Sequence, residues 1–117
     1  MLIVDQKFSK GFRLLKSSEF QLVYKQGEWV ANRELVVNYK RHQQPFSRLG
    51  ITVSKKVSKR AVDRNRIKRL FREWFRKNKQ SCQSIDMILT AKPSINVKSN
   101  VEIKKSLEDI WRKVQKR

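Results

Sequence analysis

Residues 55–79 read KKVSKRAVDRNRIKRLFREWFRKNK, and twelve of these 25 residues are Lys or Arg against two acids. The stretch also carries a helical repeat. Ile67, Leu70, Phe71, Trp74 and Phe75 stand at i, i+3, i+4, i+7 and i+8, one apolar stripe on an α-helix. At about 100° per residue, Asn65, Arg69, Arg72 and Arg76 project on the opposite side. A helix over 59–78 is therefore predicted, with a greasy side to bury and a row of cations left in water. At about 1.5 Å per residue, its central eighteen residues span roughly 27 Å, enough to follow several consecutive phosphates.

Charge over the whole chain agrees. The formal net charge is +19 on 117 residues, and the basic residues run from Lys7 to Arg117. Self-repulsion on that scale opposes compaction unless a partner neutralises it. A polyanion is the leading partner, with an anionic membrane surface second. The length fits one domain, 1–117, with a modest core. An apolar fraction of 38% is low for a globular chain but too high for a disordered tail.

Cys82 is the only cysteine, so no internal disulfide and no multi-thiolate zinc site can form. The opening MLIVDQKFSK lacks a basic n-region and a long apolar h-region, so no signal peptide is expected. No window approaches the roughly 18 apolar residues of a membrane span. A cytoplasmic protein is expected.

Along the chain, residues 1–16 are expected to be irregular. Ser17 or Ser18 reads as an N-cap, Ser18 with Gln21 having capping-box spacing, and opens a first helix at 18–26, carrying Phe20, Val23 and Tyr24 and ending at Gly27. Residues 29–40 are rich in β-formers, firmest at 35–39. Residues 41–47, with Pro45, read as a loop. Residues 48–54 alternate, with Leu49, Ile51 and Val53 on one side, and the two strands are expected to pair antiparallel. After the basic helix come a polar linker, a short strand at 85–91 stopped by Lys92 and Pro93, and a last helix capped by Ser99 with Glu102. That helix carries Leu107, Ile110, Trp111 and Val114. The order α-β-β-(β)-α-β-α predicts an α+β fold, a small sandwich with helices packed on one sheet.

Catalytic chemistry by the protein itself is not expected. His42 stands alone in a loop, where a histidine is normally solvated, and no carboxylate pair has two-metal spacing. With only Gly11, Gly27 and Gly50 there is no phosphate loop. Asp63 and Glu73 sit among cations and relieve repulsion. RNA or DNA binding fits better. The cations of the central helix are not interleaved with carboxylates as on a salt-bridged surface helix. Arg offers phosphate a planar fork, and Asn65 a two-way hydrogen bonder for a base edge or 2′-hydroxyl. About six phosphate contacts would cost on the order of a thousandfold in affinity between 50 and 200 mM salt. Phe20 and Tyr24, at i and i+4, fit either a core pair or a stacking platform for single-stranded bases. Trp74, Phe75 and Trp111 belong to the core.

The segment Ala61-Val62-Asp63-Arg64-Asn65-Arg66-Ile67-Lys68-Arg69 resembles the signature of the bacterial ribonuclease P protein subunit. So does Val53-Ser54-Lys55-Lys56 before it. Weaker agreements are Glu19-Phe20-Gln21 with Tyr24 and Gly27, Ala31-Asn32-Arg33, and Lys92-Pro93, in the same order along nearly the whole chain. The resemblance implies the protein part of a ribonucleoprotein endoribonuclease that removes the 5′ leader of precursor tRNA, with the chemistry carried by the catalytic RNA. It implies Mg2+ held mainly by that RNA and the substrate, no obligate protein partner and no membrane. Arg64, Asn65, Arg66, Lys68 and Arg69 would face the catalytic RNA. Phe20, Tyr24, Lys55, Lys56 and Lys92 would line a cleft for the single-stranded leader. It also implies a left-handed crossover around the signature helix, where physics alone favours the right-handed form. One departure is that the family often has an aromatic residue near Asn38, whereas here Tyr39 is the aromatic and is left out of the site. A non-catalytic ribosomal-type RNA-binding protein is the alternative, and a membrane-surface domain using the basic helix is a second, which would need the Ile67–Phe75 stripe to face lipid.

Overall fold

A computed structural model describes residues 12–78 and 84–116, with the side chains of Phe12 and Arg13 outside the description. In chain order the elements are β1 (Phe12–Leu14), α1 (Ser17–Gln26), β2 (Glu28–Ala31), β3 (Leu35–Arg41), β4 (Ser47–Thr52), α2 (Ala61–Lys77), β5 (Ile85–Ala91), a 3₁₀ turn (Pro93–Val97) and α3 (Asn100–Gln115). The strands form one mixed sheet in the order β1-β4-β5-β3-β2. The α+β sandwich is as predicted.

The pairing of β3 with β4 is not. The two never touch as neighbours, because β5 lies between them, antiparallel to β3 and parallel to β4. The reason lies in β5 itself. Ile85, Asp86, Met87, Ile88 and Leu89 are all buried, so both faces of this strand are covered. Such a strand belongs at the centre of a sheet, and the half-buried β3 and β4 are displaced to either side. The parallel β4 and β5 are joined through α2, which forms the crossover.

Three smaller expectations also change. Residues 12–14 are not irregular but pair in parallel with β4, Phe12 opposite Ser47 and Leu14 opposite Leu49. Three residues are too few to show a period of two. Residues 1–11 of that segment lie outside the described residues. The β-rich run at 29–40 is two strands folded into a hairpin. Asn32 makes the turn by accepting the N–H groups of Glu34 and Leu35, both at 3.0 Å. Finally, α1 is capped at neither Ser17 nor Ser18. The cap position is Lys16, and Glu19 reaches back to accept the Lys16 N–H at 2.7 Å.

The two faces of the sheet are unequal. On one, Leu35, Val37, Tyr39, Leu49, Met87 and Leu89 meet the stripes of α2 and α3 in a single cluster. Ile67, Phe71 and Phe75 are fully buried there, and Trp74 meets Trp111 edge-on with ring centroids 5.9 Å apart. On the other, among the described residues, Val23 and Phe20 of α1 and Leu15 just before it pack with Ile88. Alternation along the strands puts Val36, Asn38, Thr52 and Thr90 on this second face, and all four are half-buried. Among the described residues, α1 therefore covers part of this face and leaves a groove beside it.

α3 carries the capping box read from the sequence. Ser99 Oγ accepts the Glu102 N–H at 3.1 Å, and a Glu102 oxygen accepts the Ser99 N–H at 2.8 Å. That backbone bond, with the Ser99 hydroxyl next, holds the Glu102 carboxyl below its usual range. A lowered carboxyl pKa stabilises the fold above the unfolded value, near 4.3, and the contribution fades as pH drops through the folded value. Ser99→Ala is expected to cost about 1 kcal/mol, read as a shift in the urea midpoint at unchanged slope.

Candidate nucleic-acid interface

The outer side of α2 is built by its own periodicity. Burying Ile67, Leu70, Phe71, Trp74 and Phe75 turns Asn65, Arg69, Arg72 and Arg76 to solvent, and all four are exposed. Lys68 is half-buried beside them. The five signature residues thus divide. Asn65, Lys68 and Arg69 belong to the outward side. Arg64 Nη1 instead donates to the Ser58 carbonyl at 2.9 Å, gripping the loop that enters the helix. Arg66 Nη1 donates to Asn100 Oδ1 at 2.7 Å, with longer contacts of 3.4 Å to the carbonyls of Asn96 and Lys98. Arg66 therefore ties α2 to the start of α3. Asp63 does more than relieve repulsion, since its carboxylate accepts the Ser58 hydroxyl at 2.8 Å and fixes the same entry loop.

The groove on the α1 face collects a second set. The Phe20 ring lies over Gly50 of β4. A Cβ built on Gly50 would come within 2.5 Å of the tip of that ring, so the glycine is what lets the aromatic sit on the strand. Phe20 is half-buried, and its ring is tilted 54° to Tyr24 at 6.3 Å. Tyr24 is half exposed. The two alternatives for this pair are thus divided between its members. Phe20 packs on Ile88 and Gly50 with part of its ring open, and Tyr24 stands on the rim.

Lys55 and Lys56 are exposed in the turn after β4, pinned by the Val57 N–H to the Ser54 carbonyl at 3.0 Å and by buried Val57. Lys92 follows Thr90 in the alternation on the groove face. Its ammonium donates to the Asn32 carbonyl at 2.7 Å, and two of its three donors remain for a ligand. Tyr39 is buried on the core face, its hydroxyl donating to Glu28 at 3.1 Å. Asn38, not Tyr39, faces the groove.

A charged cluster that sequence reasoning missed sets the position of α1. Arg48 binds Asp86 through two parallel bonds of 2.8 and 2.7 Å and also contacts Glu19 of α1. The bonds to Asp86 raise the Arg48 pKa, against desolvation, so the guanidinium is charged throughout. Phe46 lies under the guanidinium at 5.8 Å. His42 is not a solvated loop residue. Its Nδ1 accepts the Gln44 N–H at 3.0 Å, and its Nε2 is 3.1 Å from Asp86 Oδ1 without hydrogen-bond alignment. Glu19 precedes Phe20, so the cluster fixes where that ring falls. Arg48 and Asp86 become neighbours only through the β4–β5 register, which one strand's pattern cannot disclose.

The chain matches the Ribonuclease P family model over residues 8–115. It is 39% identical to the ribonuclease P protein component of Pseudoalteromonas atlantica over 113 residues, which cover 97% of this chain and 94% of the relative. Identity to the Staphylococcus epidermidis ribonuclease P protein component is 44%, over 86% of this chain and 88% of that protein. Among solved structures, the Staphylococcus aureus RNase P protein superposes with a TM-score of 0.83 at 38% identity, covering 90% of this chain and 96% of that one. The Thermotoga maritima RNase P protein gives 0.73 at 28% identity over 81% and 91%. With its fold, its α2 signature and its relatives in agreement over nearly the whole length, the chain belongs to the ribonuclease P protein family.

Proposed function

We propose that this chain is the protein subunit of a ribonucleoprotein that removes the 5′ leader of precursor tRNA in the cytoplasm, with bond cleavage performed by its RNA partner. The observation that carries this reading is the pairing of two surfaces on one small domain. One is the cationic side of α2, suited to the phosphates of a structured RNA. The other is the groove beside α1, where Phe20 and Tyr24 offer π-faces and Lys55, Lys56 and Lys92 offer charge to a single strand. Arg64, Asn65, Arg66, Lys68 and Arg69 serve the catalytic RNA in this scheme, with Arg64 and Arg66 also shaping the protein.

The groove residues are aromatic, hydroxyl and cationic, a poor set for a hard divalent cation. Among the described residues no group of three His, Cys, Asp or Glu could hold a metal. In this reading magnesium is held mainly by the RNA and the substrate, and the protein's own residues bind and orient RNA. A non-catalytic ribosomal-type protein would use the α2 side but has no need of the groove. A membrane-surface role would need the α2 stripe in lipid, and that stripe is in the core.

The test is reconstitution with a bacterial catalytic RNA of the ribonuclease P type at low magnesium. Cleavage of precursor tRNA should rise when the protein is added, and the protein alone should cleave nothing. Phe20→Ala should weaken binding of leader-bearing substrate by about tenfold, the loss of one stacked base, and leave mature tRNA unchanged. Equal losses for both substrates would reject the groove as the leader site.

A further inference from the structure

Trp29 is 63% exposed, the most open of the aromatic residues whose exposure is described. The other two tryptophans, Trp74 and Trp111, are 6% and 7% exposed and lie in the core. An indole presents a broad apolar π-face, and tryptophan is enriched where proteins meet their partners.

Its position is informative. Trp29 pairs with Asn38, Asn38 with Ile88, and Ile88 with Gly50. Residues paired across a sheet share a face. Trp29 therefore stands in the row whose other end is the glycine under Phe20, on the face that α1 only partly covers. Three strand spacings separate the ends, about 14 Å. Asn38 beside it is a short polar side chain, and Ala31, next on that face of β2, is smaller still. Lys92, bound to the Asn32 carbonyl, brings a cation to the same side of the hairpin.

We propose that Trp29 is a base-stacking residue that extends the leader groove to the β2 edge, so that a nucleotide farther along the leader than the one on Phe20 rests on its indole. This rests on the leader reading above. The direction follows from the fold. α2, assigned to the catalytic RNA, begins just after Lys55 and Lys56 at the end of β4, beside Phe20. A strand entering from that side meets Phe20 before it reaches β2. The indole suits any base, because every base has a π-face, so Trp29 contributes affinity and leader length but little sequence preference.

The experiment uses the holoenzyme reconstituted with catalytic RNA and precursor tRNAs whose leaders grow by one nucleotide at a time. Trp29→Ala, Trp29→Phe and Phe20→Ala are compared with the unaltered protein. Trp29→Ala should weaken binding about fivefold to a hundredfold, only beyond a leader length longer than that at which Phe20→Ala first tells. Trp29→Phe should recover most of the loss. Full-length protein titrated with single-stranded RNA should lose tryptophan emission, since the other two indoles are shielded, and Trp29→Phe should abolish that quenching. Loss at every leader length and with mature tRNA would make Trp29 structural and overturn the proposal. So would an unaffected Trp29→Ala beside a Phe20→Ala that shows leader-dependent loss, which leaves the groove reading standing. If neither variant responds to leader length, the groove reading fails and this proposal with it.

Discussion

Replacing Lys68, Arg69 and Arg72 together by alanine is expected to weaken binding of the catalytic RNA on the order of a hundredfold at low salt, and to do so in a salt-dependent way. Arg69 and Arg72 are exposed and Lys68 half-buried, and no ion pair with a carboxylate is made by any of the three among the described residues. Their removal takes little from the core, which holds α2 by its other side. If each neutralises one phosphate, the slope of log affinity against log salt should flatten by about 0.9 per residue, or about 2.7 in all. The deficit of the variant should then shrink about fortyfold between 50 and 200 mM salt. That signature separates lost phosphate contacts from damage to the fold, which would lower affinity by a similar factor at every salt. Arg66 makes a poorer probe, because its guanidinium also holds Asn100 at the head of α3. A triple variant whose salt slope equals that of the unaltered protein would remove the α2 side from the RNA interface.

The division between what the residues disclosed and what they hid follows from the range of each signal. α2 was legible because its stripe and its cations repeat every turn over seventeen residues. The α3 cap was legible because Ser99 and Glu102 are three residues apart. The groove was only half legible. Phe20 and Tyr24 announce themselves by spacing, but whether they lie inside or on a rim depends on Gly50, thirty residues away in sequence. Trp29 was passed over because a tryptophan in a β-rich run reads as core until the hairpin register puts it beside Asn38. β5 was found as a strand but not as the centre of the sheet, since a pairing order is a property of all the strands together. Asp86 was invisible for the same reason. A single acid inside an apolar strand gives no hint of its partner, and Arg48 is brought to it only by the parallel register of β4 and β5.

Asp86→Ala is expected to cost about 3 kcal/mol. Among the described residues Asp86 is the one charged residue of the buried polar ones, 4% exposed, and it sits in the most central strand. Its carboxylate takes both arms of the Arg48 fork. Without it the guanidinium, with its side chain 23% exposed, keeps Glu19 alone. Breaking a buried pair from one side costs about 3–5 kcal/mol because a charge is left uncompensated. The partial exposure of Arg48 argues for the lower end. For a domain of this size the loss should lower the thermal midpoint by about 10 °C or more. Arg48→Ala should cost as much, since it strands the more deeply buried partner. The double variant should cost less than the two singles added, and the shortfall measures the coupling. Salt should change these losses little, because the pair is shielded from solvent, in contrast to the α2 cations. The consequence reaches the groove. Arg48 also holds Glu19, so a loosened cluster lets α1 shift, and Phe20 with it. At a temperature where Asp86→Ala remains folded, the holoenzyme should therefore lose part of its preference for leader-bearing substrate over mature tRNA while its α2-dependent assembly with RNA stays intact. A variant that loses less than about 0.5 kcal/mol, or additive singles with no coupling, would show that α1 is held by Val23 and Leu15 on Ile88 and not by the charges beside them.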